Sequence, residues 1–272
     1  MEGVLSFEYD TARFTDVGGL DNLKRWLEER REVFLGKTPE NVLDPPKGIM
    51  LLGIQGSGKS LAAKAVAGMW GVPLLRLDFG SLYQKYYGES ERNIREALTL
   101  ADMMAPCVLW MDEIEKGLSQ DSDAGTSERM LGTLLRWMSE RRSEAFIVAT
   151  SNDILRQPPE LVRKGRLDEI FFVGLPDPGT REVIFRIHLD KPGQRPDDFY
   201  LPHLAELSAG YSGAEIEQTV VGALYSAAAL EADLSTETLQ RAIAETNPLS
   251  VVMFEKIESL RHWAQERCVF AN

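Results

Sequence analysis

The stretch "GIQGSGKS", Gly53 to Ser60, constrains the fold of this chain more than any other. It has the spacing G-x-x-x-x-G-K-[ST] and lies between an apolar run, "GIMLLG" (residues 48–53), and the Ala-rich helical stretch "LAAKAVAGMW" (residues 61–70). Glycines let the backbone wrap until its amides point inward at phosphate oxygens, and the helix that follows adds its positive N-terminal end. Gly53, Ile54, Gln55, Gly56, Ser57, Gly58, Lys59, Ser60 and Leu61 are therefore the expected phosphate-binding residues. Lys59 is expected to reach the β- and γ-phosphates of ATP, and the Ser60 hydroxyl to ligate Mg. The plain alternative is a Gly-rich turn with an exposed lysine; the strand–loop–helix frame favours the phosphate loop.

Four further apolar, β-rich runs accompany the first: "PLLRLDF" (73–79), "CVLWMD" (107–112), "AFIVATSN" (145–152) and "EIFFVGL" (169–175). Helical periodicity lies between most of them, as in Ile94, Ala97, Leu98 and Ala101, so the first half reads as α/β with a five-stranded parallel sheet flanked by helices. After "LPDPGT" (175–180) the periodicity is helical throughout, which predicts a small all-helical unit. Ser212 and Glu215 fit a capping box that starts a helix near Gly213. The expected organisation is an N-terminal linker over residues 1–15, a large nucleotide-binding domain over 16–177 and the helical lid over 178–272. The acidic stretch "SQDSDAGTSE" (119–128) reads as a loop.

Hydrolysis needs acids as well as a phosphate cradle. "CVLWMDE" places Asp112 and Glu113 where a buried strand reaches its C-terminal edge, the side on which ligands gather in open α/β sheets. Asp112 is the expected holder of hydrated Mg, and Glu113, facing the opposite way on a strand, the expected general base. Alone, such a pair is as readily an acidic strand end that caps a helix. Asn152, ending "VATSND", is placed to orient the attacking water, though an Asn there is ordinarily a turn residue. Arg163 and Arg166 flank a Lys-Gly turn before the fifth strand; arginines suit stabilising charge on a transferring phosphoryl group and can be supplied to it from a neighbouring molecule, or they are simply a solvated basic helix end. "KYYGESE" sets Lys85, Tyr86 and Tyr87 on the segment after the second run, where rings packed onto the sheet are the ordinary reading.

In order along the chain, "FTDVGGLDNLK", "GIQGSGKS", "KYYGESE", "VLWMDEIE", "ATSN", "LVRKGRLDE" and "GYSGAEIE" resemble the AAA branch of the AAA+ ATPases from about Phe14 to about Leu230. In detail, "LLGIQGSGKSL", "CVLWMDEIEKG" and "KGRLDEIFFVGLPD" look most like the AAA ATPases of a hypothetical chloroplast reading frame and their bacterial relatives. The resemblance implies a homo-oligomeric ring, usually a hexamer, with ATP at each boundary and Arg163 and Arg166 completing the neighbour's site. It implies adenine contacts from the backbone of Val17 and Gly18, with His188 beside base or ribose; His188 as helix-face packing is the alternative. Gly213 and Ala214 match the lid position over the nucleotide. Tyr86 takes the aromatic position of a channel loop that grips a translocating polypeptide, with Lys85 and Tyr87 beside it. Two departures stand out. Lys164 and Leu167 replace the Pro and Phe of the family's R-P-G-R-F-D pattern, and only a short stretch precedes the match, so substrate selection falls to a missing segment or to a partner.

The resulting expectation is a ring-forming, Mg-dependent ATPase that remodels or threads an unidentified protein substrate or adaptor-bound chain. A nucleotide-timed assembly scaffold is the alternative. A DNA-directed enzyme is disfavoured because a net charge of −12 repels phosphate backbones and no basic appendage occurs. Proteolysis lacks an H-E-x-x-H around His188, His203 or His262. No apolar run reaches the roughly 18 residues of a membrane span, and the N-terminus lacks a secretory pattern, so the expected location is the cytoplasm, or the plastid stroma for an organellar chain. Cys107 and Cys268 have no metal-ligand spacing.

Overall fold

The computed structural model describes residues 5–9, 11–37, 43–79, 89–118, 124–153, 158, 160–161, 163 and 165–272. Its centre is the expected parallel sheet. Strands β2 (Gly48–Gly53), β3 (Leu74–Asp78), β4 (Cys107–Asp112), β5 (Ala145–Ser151) and β6 (Glu169–Val173) lie in the order β3-β4-β5-β2-β6, all parallel. Every residue of β2, β4 and β5 is buried, because helices cover both faces; that is why these strands read as continuous apolar runs rather than alternating ones.

Successive side chains point to opposite faces, which makes two cores from one strand. Met50 and Leu52 join Leu75, Leu109 and Ile147 on one face, under α3 (Glu89–Met103) and α5 (Ala124–Glu140). Ile49 and Leu51 join Val108 and Val148 on the other, under α1 (Asp21–Phe34) and α2 (Lys59–Trp70). There Phe34 stacks on Trp70 at 4.5 Å between centroids, and Phe146 meets Trp70 edge-on at 4.6 Å. The short helix α4 (Ile114–Leu118) follows β4 directly.

Two strands extend the sheet beyond the five expected, one at each edge. β1 (Leu5–Glu8), inside the stretch taken as a linker, pairs antiparallel with β3, Leu5 opposite Leu77. β7 (Val269–Phe270), at the end of the stretch taken as all-helical, pairs with β6. Ala271 then donates its N–H to Phe172 O at 3.0 Å and accepts from the N–H groups of Asn22 and Leu23 at the start of α1. These strands escape a periodicity reading because they are short and half-exposed at sheet edges, held by backbone hydrogen bonds rather than by an apolar run.

The helical unit proper comprises α6 (Pro178–Asp190), α7 (Leu201–Leu207), α8 (Gly213–Ala229) and α9 (Thr236–Ala244), around a core of Phe185, Leu189, Leu204, Ile216, Val220 and Leu239. The capping box starts α8 as the sequence predicts: Ser212 N–H donates to Glu215 Oε2 at 2.8 Å while Glu215 N–H donates to Ser212 Oγ. Beyond the brief α10 (Leu249–Val252), α11 (Phe254–Gln265) returns to the sheet, with Ile257, Leu260 and Ala264 entering the first core. Among the described residues no helix is long and apolar enough to cross a membrane.

Candidate active site

In the sheet register Asp78 lies opposite Asp112, Met111 opposite Ala149, and Leu52 opposite Ser151, so the C-terminal ends of four strands share one edge. A cavity of about 530 Å³ opens there, between that edge and the helical unit.

Its floor is the phosphate loop. Gly56 (φ 78°) and Gly58 (φ 98°) adopt left-handed backbone that L side chains rarely tolerate, and this turns the chain sharply into α2. Gln55, Gly56, Ser57, Gly58, Lys59, Ser60 and Leu61 line the cavity. Gly53 and Ile54 stand behind it instead, because they are still continuous with β2; what they contribute is carbonyl oxygens. Lys59, 6% exposed, donates to Gly53 O at 2.9 Å and to Ile54 O at 2.5 Å. Burial lowers its pKa to about 8 against the opposing pull of Glu115, Glu113 and Asp112.

The carboxylate wall is a connected network. Thr150 on β5 donates to Asp112 Oδ1 at 2.8 Å and accepts the Glu113 N–H at 3.1 Å. The expectation that Glu113 alternates with Asp112 along a strand is corrected: β4 ends at Asp112, and Glu113 takes φ 47°, swinging out of the sheet. A non-glycine residue in this region stores on the order of 1–3 kcal/mol, which the surrounding hydrogen bonds must offset. Glu113 Oε1 accepts from Asn152 Nδ2 at 3.0 Å, and Oε2 is ion-paired with Lys116. Asn152 is itself placed by Glu115, whose Oε1 accepts the Asn152 N–H at 3.1 Å. Asn152 thus meets the acid directly rather than standing apart from it at the strand end.

The roof and far wall come from outside the sheet. Val17 and Gly18 line the cavity with Asp16, facing Ile184, Ile187, His188 and Lys191 of α6 and Gly213, Ala214 and Glu217 of α8. The Ala214 N–H donates to Gly56 O at 3.2 Å, so the capped end of α8 touches the phosphate loop itself. His188 Nδ1 lies 3.6 Å from Glu217 Oε1. Burial pushes His188 below the ordinary histidine value, Glu217 opposes this, and Lys191 adds to it.

Ser60 and Asp112 present hard oxygen donors in one cavity, the chemistry that suits Mg. Among the described residues no group of three or more His, Cys, Asp or Glu could hold a metal alone.

Arg163 is exposed and Arg166 half-buried, with Arg166 Nη1 donating to Glu160 O; neither lines the cavity. Lys85, Tyr86 and Tyr87 lie outside the described residues. Sequence reading missed Thr150, Glu115 and Glu217. The first two sat inside motifs already singled out, as polar residues in a buried strand and beside the acid pair; Glu217 had no local signal.

Residues 49–175 match the family described as "ATPase family associated with various cellular activities (AAA)". The chain is 46% identical over 253 residues to an uncharacterized AAA domain-containing protein, ycf46, of Pyropia yezoensis, covering 92% of this chain and 51% of that protein. It is 42% identical over 265 residues to the ycf46 protein of Guillardia theta, covering 96% of this chain and 52% of the other. Identity to the proteasome-activating nucleotidase of Aeropyrum pernix is 37% over 225 residues, 79% of this chain and 54% of that protein. The chain spans about half the length of these relatives.

Proposed function

This chain carries a domain of the AAA ATPase family, of the ycf46-like type, and from that premise we propose that it is a ring-forming, Mg-dependent ATPase that remodels or threads a protein substrate. The observation that carries the reading is the convergence of Lys59, Asp112, Glu113 and Asn152 on one cavity roofed by α8. In it the loop amides and Lys59 bind the triphosphate, and Lys59 exchanges its carbonyl partners for phosphate oxygens. Ser60 and Asp112 would hold Mg, which would supply positive charge to offset that of the phosphates. Glu113, oriented by Asn152 and by its clamped N–H, takes a proton from the attacking water, while Val17, Gly18 and His188 receive the nucleoside end.

Ring assembly gives the remaining residues a role. Arg163, exposed, and Arg166, half-buried, do not line their own cavity, and a guanidinium so placed can complete a neighbour's site. Lys85, Tyr86 and Tyr87 supply the grip on polypeptide, rings contacting side chains of many sequences without reading them. The relative named as activating the proteasome makes a protein substrate the natural class.

The test is phosphate release as a function of protein concentration, followed by mixing Lys59→Ala with Arg166→Ala. Specific activity that rises with concentration, and partial recovery in the mixture, support a shared site. Activity independent of concentration with no recovery would overturn the ring.

A further inference from the structure

β3 carries one cation in an apolar strand. Arg76 sits in register with Trp110 on β4 and with Ser6 on β1. Its side chain runs along the sheet: the guanidinium carbon lies 4.8 Å from the Trp110 ring centroid, and Nη2 donates to Asp112 Oδ2 at 2.7 Å. Nη1 is 3.9 Å from Glu8 Oε1 on β1, and Glu8 also pairs with Lys64 of α2 at 3.7 Å. Nε is buried with no hydrogen-bond partner, so the contact with Asp112 is the guanidinium's short anchor. Arg76 does not line the nucleotide cavity.

The consequence falls on the carboxylate expected to face Mg. Thr150 holds Asp112 Oδ1 and Arg76 holds Oδ2, so the group is fixed at both oxygens. The two partners differ in kind. A hydroxyl orients the carboxylate without changing its charge, whereas a guanidinium also neutralises part of it and repels a divalent ion close by. Glu8 draws some of that positive charge toward the sheet edge.

We propose, resting on the ATPase reading above, that Arg76 is a positioning residue that aims Asp112 and weakens its hold on Mg, and that Glu8 on the edge strand β1 sets the strength of this effect. With Thr150 still orienting the carboxylate, loss of the cation outweighs loss of alignment in Mg binding, while turnover suffers from the misaligned carboxylate.

The experiment titrates Mg into the full chain with a fluorescent N-methylanthraniloyl ATP, and separately measures phosphate release. Arg76→Ala should lower the Mg concentration for half-saturation by about 5-fold and turnover at saturating Mg by about 10-fold, with KM for ATP little changed. Arg76→Lys, which keeps the charge, should restore half-saturation to within about 2-fold of wild type. Glu8→Gln should move it the other way, raising half-saturation by about 2-fold. A folded Arg76→Ala with unchanged or weaker Mg binding overturns the inference, as does a Glu8→Gln titration that matches wild type or shifts downward. If Arg76→Ala does not fold, Glu8→Gln and Arg76→Lys still decide. Wild-type protein that binds nucleotide with Mg but never releases phosphate would overturn the ATPase reading while leaving the binding shifts to be read.

Discussion

The hydroxyl of Thr150 donates to Asp112 Oδ1 across 2.8 Å, and Thr150 Oγ1 in turn accepts the Glu113 N–H, so one side chain aims the first acid and clamps the strained backbone of the second. Thr150→Val keeps the shape and removes both hydrogen bonds. It should lose about 1–3 kcal/mol of stability in denaturant unfolding and lower ATP turnover by roughly 10-fold or more. Turnover at the wild-type level would show that Glu113 needs no such clamp.

Glu113→Gln keeps an oxygen for the Asn152 amide but cannot accept the proton. Phosphate release should fall by about 100-fold or more while nucleotide binding, followed by fluorescence, persists. Asn152→Ala should give a smaller loss at unchanged binding, since it leaves the base in place but unaimed. Full activity of Glu113→Gln would remove Glu113 as the base.

Lys59 yields a pH signature with a defined sign. Its pKa is about 8 in the folded chain, below the ordinary lysine value of 10.5, so between these values the unfolded chain holds a proton that the folded chain has released. Without nucleotide, the penalty of a buried charge is full below pH 8 and is relieved as pH rises toward 10.5. Wild type should therefore gain stability relative to Lys59→Met across that window, by at most about 3 kcal/mol. ATP affinity should move oppositely, declining above pH 8 as the lysine loses the charge that phosphates need. A flat difference between wild type and Lys59→Met would contradict the burial described.

Arg181 ties the helical unit to the sheet domain. It is buried, donating from Nε to Ala205 O and from Nη1 to Pro176 O, both at 2.7 Å, at the junction where α6 begins. Arg181→Met should destabilise the protein by about 2–4 kcal/mol, because two carbonyls lose charged donors. In thermal unfolding this should appear as a lower midpoint, and a separate early transition would show that the helical unit has uncoupled. An unchanged unfolding curve would count against the tie.

Local sequence determined the parts of this protein whose physics is local. Gly56 and Gly58 must turn, the runs around Leu51, Leu109 and Ile147 must be buried on both faces, and Ser212 with Glu215 must start a helix; each follows from residue type and spacing. The acids were legible as strand-end residues, but their partners were not. Thr150, Arg76 and Asp112 come from three strands, and only the β3-β4-β5 register brings them within hydrogen-bond reach. The left-handed turn at Glu113 overrode the alternation a strand would impose, and nothing in "WMDEIE" announces it. β1 and β7 likewise exist because a neighbouring strand offers unpaired N–H and C=O groups, a condition that tertiary structure supplies and short half-exposed segments do not encode.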